Sequence, residues 1–404
     1  MKPPAPSIRE AQKVLAGRRV TLIVLRTFSA GLLLLTPARS ALAQDVTTAV
    51  ASSTPARTVK LGSLDVTLNW RSRLESWQWF AGNSGDGDYG FGHSQLRVGL
   101  GHKSRRVEWL VEAEQVALLG LPTNAVAPAP LGQLGLGATY YVANGNADNA
   151  GGAFVKQAYV QMKPLGSTTL KIGRFEFFDG AEARSTDSTV TTLVQTRIAH
   201  RLISNFGFTA VQRTFDGAQV AWNAGSNNLT FFAARPTEGI FQVGGMGELD
   251  VQVYYGAYNT SFKTQSGAGS LRVFGVGYID RRSTVLKTDN RSTAARTADQ
   301  DDIRIGTWGA DYVHAFHTKT SGTVDVLAWG VVQTGTWGTL TQRAGAFVGE
   351  GGWQAPHNGQ AVGQCWLFVR QRGRRSERRQ PRHVFPVANY ATPIREIPVL
   401  QHDE

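Results

Sequence analysis

The chain of 404 residues contains one cysteine and three methionines. A single cysteine excludes a disulfide framework and any cysteine-based structural zinc site. Beyond residue 43 there is no run of 18 apolar residues, so that part of the sequence holds no membrane-spanning helix. H-E-x-x-H, the phosphate-binding P-loop and G-x-G-x-x-G at a strand–helix junction are all missing. The 45 glycines follow no G-x-y period, which excludes collagen. What is present is a hydrophobic share of 42% with 10% aromatics, too apolar for intrinsic disorder.

Acidic residues are outnumbered, 30 against 42 Lys+Arg, for a formal net charge of +12. The excess sits at the ends. Residues 1–43 hold seven Lys/Arg and one Glu, and residues 365–404 hold eight Arg and four acids. The segment between them is close to neutral and carries no concentrated basic face, so nucleic acid is not an expected partner.

Residues 1–43 read as an export signal. Lys2, Arg9, Lys13, Arg18 and Arg19 come first, then an apolar run from Val20 to Leu35 broken by Arg26. Ala41 and Ala43 supply the small residues of a signal-peptidase site, which predicts cleavage after Ala43. The run is too short and interrupted for a membrane anchor. Residues 44–57 read as a flexible lead-in.

From residue 58 the hydrophobic period is two. Leu64, Val66, Leu68 and Trp70 alternate with Asp65, Thr67 and Asn69, and Arg71, Arg73 and Glu75 continue the polar phase. Leu96, Val98 and Leu100 alternate with Gln95, Arg97 and Gly99. Val107, Trp109, Val111 and Ala113 alternate with Glu108, Glu112 and Glu114. The 157–162 stretch alternates likewise, and further runs lie near 167–175, 215–223, 228–235, 249–262, 270–281, 303–317, 323–335 and 340–350. Most exceed the usual ~5–6 residues of a strand. Helix is expected only as a short turn near 190–202.

Short turns at 103–105, 164–167, 223–227 and 318–322 roughly alternate with long connections at 81–94, 119–152 and 282–302. Short turns on one side, long loops on the other and strands of about ten residues are the pattern of an outer-membrane barrel. A membrane-spanning sheet must close, because lipid cannot hydrate its edges. Trp70, Trp77, Trp79, Tyr254 and Tyr258 supply aromatics for the interface. The expected fold is therefore all-β, an antiparallel transmembrane β-barrel of outer-membrane porin type. A soluble β-sandwich or β-helix is the alternative.

With the apolar phase toward lipid, the polar phase lines a water-filled lumen. It carries Arg71, Arg73, Arg97 and Lys103 with Glu108, Glu112 and Glu114. Opposite charges on neighbouring strands would pair. Arginines among them would attract carboxylates through two parallel hydrogen bonds. No residue pattern marks a catalytic site. His314 and His317 stand three apart, on opposite faces of a strand, which makes them poor co-ligands. Asp299, Asp301 and Asp302 lack EF-hand spacing. No enzyme activity, metal or cofactor is expected.

Two blocks are more specific. One is Lys171-Ile172-Gly173-Arg174-Phe175-Glu176-Phe177-Phe178-Asp179-Gly180. The other runs from Arg201-Leu202-Ile203 through Phe206-Gly207-Phe208 to Arg213-Thr214-Phe215-Asp216-Gly217. With the run at 96–100 and the Gln157–Val160 strand, they resemble the alginate export family of outer-membrane proteins over roughly residues 60–355. The resemblance implies a large barrel that exports an anionic uronate polysaccharide through an arginine-rich pore. It implies that Arg71, Arg73, Arg97, Arg174 and Arg213 touch polymer carboxylates, with Asp216 holding Arg213 in place. It also implies outer-membrane lipid and periplasmic export components as partners. The period-two phase breaks near Arg174, so its side of the wall is open. A general or sugar-selective porin, or a soluble polysaccharide-binding β protein, remains as an alternative function.

The barrel domain is expected over 58–357, and residues 358–404 form an aberrant basic tail with seven arginines in 370–382 and no alternation. A basic patch for lipid headgroups is one reading. A shift of reading frame near 355–361 is the other. Codons allowed for residues 361–404, read from their second nucleotide, permit a strand-like QWVSAGYLF start, an Asp/Gly/Asn loop, then HGTFF and YARFPFYNMM. Those strings resemble the corresponding part of alginate export proteins. The barrel is accordingly expected to be incomplete at its C-terminal side.

Overall fold

The computed structural model describes residues 57–79, 87–127, 132–164, 166–318, 321–354 and 362–369, the last by backbone alone. The export signal, its cleavage site and most of the basic tail lie outside the described residues.

Among the described residues sixteen strands occur in chain order. The first seven are β1 (Arg57–Leu61), β2 (Leu64–Gln78), β3 (Asp88–Lys103), β4 (Val107–Leu119), β5 (Val126–Ala127), β6 (Gly132–Gln133) and β7 (Ala150–Met162). Then come β8 (Thr168–Phe175), β9 (Phe215–Ala224), β10 (Asn227–Pro236), β11 (Val251–Thr264) and β12 (Gly267–Asp280). The last four are β13 (Ile303–Thr318), β14 (Gly322–Trp337), β15 (Leu340–Gln354) and β16 (Val362–Val369). Apart from the small β5–β6 pair, all belong to one 14-stranded sheet. Each strand of that sheet pairs antiparallel with the next in the sequence. The strands expected from the alternation at β8–β15 are present with ends shifted by a few residues. β16 carries the sheet into the segment read as tail.

The period-two pattern decides which way each side chain points. Leu68, Trp70 and Leu74 on β2 face outward, and Leu74 is 93% exposed. Val98, Leu100, Val111, Val160, Val273, Trp308, Val332 and Phe347 continue this outward apolar surface. Large apolar side chains left so open to solvent over a whole sheet are the mark of a lipid-facing wall. The architecture is an antiparallel β-barrel sheet of outer-membrane type. It is not closed: β1 and β16 are its two edges, and no described residues join them.

Turns of two to five residues join the strands at one end: 62–63, 104–106, 163–167, 225–226, 265–266 and 319–321. At the other end the connections 120–149, 176–214, 237–250 and 281–302 are long, and among the described residues only 338–339 is short. The alternation expected from the sequence is therefore present. Two of these long connections, 176–214 and 237–250, were not anticipated as loops of that size, and the long connection expected over 81–94 is cut short because β3 begins at Asp88.

Inside the sheet, expectation and structure part for β11–β15. Their inward phase is largely apolar: Val253, Tyr255, Phe274, Val276, Ile305, Leu327, Trp329 and Val331 are all buried. The cause is the segment 176–214, which contributes Phe177, Val190, Leu193, Ile198, Leu202 and Ile203 to the same cluster. An inward position facing water stays polar; one facing a packed segment gains ~1.5–3 kcal/mol per large apolar side chain buried. Trp77 also points inward, donating its Nε1–H to Glu75 at 3.0 Å, so it is not part of the outward aromatic set.

Candidate functional site

The interior is organised around residues 176–214, which leave the wall after β8 and re-enter it at β9. The segment holds a one-turn helix α2 (Ser188–Leu193) continued by a π turn, Val194–Ile198. Asp187 starts α2 by accepting the Val190 N–H at 2.9 Å, a side-chain cap for one of the unpaired first-turn donors. The short helix expected near 190–202 is thus present. A second helix, α1 (Leu136–Ala143), lies in the connection 120–149. Its buried Tyr140 accepts the Ala210 N–H at 2.9 Å, tying α1 to the segment.

Three groups of charges fasten the segment to separate sectors of the wall. On β3 and β4, register sets Arg97 opposite Glu114 and Gly99 opposite Glu112. The Arg97 Nε–Glu114 distance is 2.9 Å, and Arg97 also meets Glu112 at 3.7 Å and Glu176 of the segment at 3.1 Å. It donates to Gln212 at 2.7 Å as well. A register shift between β4 and β7 brings Lys156 into the same place, where it donates to the Val211 carbonyl at 2.8 Å. A bulge re-aims a side chain in this way without ending the strand.

The second group centres on Arg272 of β12. It donates to Asp311 at 2.6 Å and approaches Asp179 and Glu182 of the segment at 3.5 and 3.7 Å. Tyr255 donates to Glu182, and the Arg272 guanidinium lies 4.2 Å from the Phe274 ring centroid. Asp179 also accepts the backbone N–H groups of Leu202 and Ile203 at 2.9 and 2.7 Å, which folds the segment back on itself.

In the third group the signs are exchanged. Arg197 and Arg201 come from the segment, and Asp325 and Glu350 from β14 and β15. Arg197 reaches Asp325 at 3.2 Å, and Arg201 reaches Glu350 at 3.2 Å. Asp187 adds a contact of 2.7 Å to His317 on β13. A single segment thus touches inward positions from β3 round to β15, so the sheet curves about it. Breaking one partner of such a buried pair costs about 3–5 kcal/mol, because the other charge is stranded.

The residues expected to line the pore divide. Arg71 is on the inward phase and donates to the Gly207 and Thr209 carbonyls at 3.1 and 2.7 Å, so it supports the segment's backbone. Arg73 is inward and half-buried beside it. Arg97 is inward and held by carboxylates on three sides. Arg213 is 1% exposed, at the end of the segment, with its guanidinium 5.8 Å from the Phe206 ring.

Arg174 and Asp216 stand elsewhere. Arg174 pairs in register with Ala158 and Asp216, the same phase as the exposed Val160, Ile172 and Val220. Both therefore face outward, at the long-loop end. Arg174 Nε donates to Asp216 at 2.7 Å, so the aspartate holds Arg174 rather than Arg213. Gly173 at φ 124° and its cross-strand partner Gly217 lie on one side of this pair, and the inward Phe175 and Phe215 on the other. A side chain on either glycine would run into the neighbouring strand's backbone.

The sequence reading assigned no role to Lys156, Arg197, Arg201, Arg272, Asp179, Asp311, Asp325 and Glu350. For Arg272, Asp311, Asp325 and Glu350 a signal existed: a charge at an inward position of an otherwise apolar phase.

No protein-family profile matches this chain, and no curated protein matches it. Among solved structures it is similar to OprB of Pseudomonas putida, with 11% identity, TM-score 0.35, and coverage of 72% of this chain and 76% of that one. It is similar to OccAB1 of Acinetobacter baumannii, with 10% identity, TM-score 0.39, and coverage of 72% and 75%. It is also similar to a BenF-like porin of Pseudomonas fluorescens Pf-5, with 12% identity, TM-score 0.34, and coverage of 75% and 70%.

Proposed function

We propose that this chain is an outer-membrane channel of porin type, in which the inward segment 176–214 sets what passes. The observation that carries the reading is the opposition of two faces. An exposed apolar wall runs outside, and charge groups inside tie one segment to strands from β3 to β15. Nothing is broken or formed in transport. The side chains act by excluding large solutes and by attracting one sign of charge.

For the solute we infer an anionic carbohydrate, alginate-like, exported from the periplasm to the surface. Support comes from the resemblance of the two blocks and from the inward guanidiniums of Arg71, Arg73 and Arg97. A polyuronate carboxylate suits a planar guanidinium better than a lysine ammonium. Periplasmic export components and outer-membrane lipid are the partners this reading implies.

A general or sugar-selective porin is favoured by a different observation. Arg97, Arg197, Arg201 and Arg272 already meet protein carboxylates, which lowers the net field available to a polyanion. Planar-bilayer recording separates the two. Anion selectivity with block by polyuronate supports export of the anionic polymer. Weak selectivity with no polyuronate block supports the porin reading. Absence of any conductance from folded, inserted protein contradicts both.

A further inference from the structure

The outward face of β12–β15 changes character at its long-loop end. Over most of its height it presents Val273, Trp308, Val332 and Phe347, all exposed. At the rim it presents arginines. Arg304 shares its outward phase with Trp308, and Arg343 shares its phase with Phe347. Arg304 pairs with Ile279, and Arg281 follows two residues beyond Ile279 on the same phase. Gly306 pairs with Thr334, which pairs with Arg343, so Arg343 stands two strands from β13, two residues down from Arg304.

Arg304 is 65% exposed in its side chain and makes one ion pair, 2.9 Å to Asp302. Arg281 and Arg343 are exposed, and neither side chain makes a hydrogen bond or ion pair among the described residues. Asp250 is the other carboxylate nearby, its carbonyl accepting the Arg281 N–H at 3.0 Å. The corresponding rim of β2 and β3 carries no basic residue on its outward phase, with Ser76, Gln78, Asp88 and Gly90.

We propose that Arg281, Arg304 and Arg343 form a binding surface for the phosphomonoester groups of an anionic membrane-lipid headgroup at the long-loop side of the bilayer. The inference rests on the membrane reading above and goes beyond it by naming a ligand outside the lumen. Three features select a lipid over a soluble ion or a protein. The arginines are on the lipid-facing side. They stand directly above exposed apolar side chains that acyl chains would cover. Two of them have unused donors, and a guanidinium grips phosphate oxygens in pairs. Each basic residue at a charged lipid surface contributes ~1 kcal/mol, about fivefold in affinity.

The test uses the full chain, folded in detergent and checked for heat-modifiable gel migration, then examined by native mass spectrometry. The probes are diphosphoryl lipid A, phosphatidylcholine and inorganic phosphate. The expected result is retained lipid A adducts, few phosphatidylcholine adducts, and no displacement by inorganic phosphate at equal concentration. The triple variant Arg281→Gln, Arg304→Gln, Arg343→Gln is expected to lose lipid A binding by at least tenfold while keeping heat-modifiable migration. Arg105→Gln with Arg106→Gln, at the short-turn end, is expected to bind as the parent does. Equal lipid A binding by the triple variant overturns the proposal. So does equal retention of phosphatidylcholine, or displacement by inorganic phosphate, which marks an ion site only. A parent chain without a heat-modifiable form overturns the membrane reading itself, and the site with it.

Discussion

Arg97 of β3 and Glu176, the first residue after β8, meet at 3.1 Å although 79 residues separate them. Two more glutamates, Glu112 and Glu114, flank the same guanidinium. This pair starts the segment's course through the interior, and its removal has a defined consequence. Arg97→Ala strands three buried carboxylates, a loss of about 3–5 kcal/mol. The expected readout is a lower urea midpoint and a smaller heat-resistant folded fraction on gels. Arg97→Ala with Glu176→Gln should recover part of the loss. An unchanged midpoint for Arg97→Ala would show that the contact is not formed.

Asp325 and Glu350 hold the far side of the segment through Arg197 and Arg201. Asp325→Asn with Glu350→Gln removes that tether and releases two guanidiniums. Single-channel conductance should then rise and anion preference increase. Conductance and reversal potential equal to the parent's would place the segment outside the ion path.

Val332 and Gln333 are neighbours on β14, yet one is exposed on the lipid side and the other is buried inside. Val332→Arg should cost ~2–4 kcal/mol of membrane stability, as an arginine does near the bilayer midplane. Val332→Ile should cost little. Unfolding from vesicles by urea measures both, and equal midpoints for the parent and Val332→Arg would contradict the assignment of faces.

The connection 281–302 carries its own acid sensitivity. Burial works against the Asp299 carboxylate, but hydrogen bonds from the Thr339 N–H, Arg291 and the Thr339 hydroxyl, with the Lys287 charge, bring its pKa down to about 2. Asp289 is lowered by Arg291 in the same way. A depressed carboxylate stabilises above the ordinary aspartate value, near ~3.9, and that contribution is lost as pH falls toward 2. Pepsin cleavage within 281–302 should therefore accelerate between about pH 4 and pH 2. Asp299→Asn should be cut readily at both. Cleavage of the parent that does not vary over that range would show that Asp299 does not secure the loop.

The frame reading of residues 358–404 has a direct check in the gene, sequenced from the codons for Gly351 past those for Glu404. The expected finding is a single-base difference that restores the second frame and supplies further strands. A sequence that stands as given would leave the unpaired edges of β1 and β16 without that explanation; in lipid each open backbone group costs several kcal/mol.

The wall was largely legible and the interior was not. A lipid-facing strand alternates along its own sequence, so β11, β13 and β14 can be read from one line of residues. The segment 176–214 carries no such period. Its place is set by partners such as Arg97, Asp311 and Glu350, which no local spacing reveals. Nearness in sequence also misled: Asp216 lies three residues from Arg213, but the start of β9 turns it outward to Arg174. The apolar inward phase of β11–β15 was not read from the sequence, because its cause is contact with a segment from elsewhere in the chain.

The most direct test of the account is depth-dependent quenching of tryptophan by brominated lipids in vesicles containing the folded chain. Trp70 and Trp308 are exposed on the outward face, whereas Trp329 is buried inside. The account predicts strong quenching that falls when Trp70 and Trp308 are both replaced by Phe, and that is unaffected by Trp329→Phe. Fluorescence indifferent to bromine at every depth, with the chain remaining in the aqueous fraction, would contradict it.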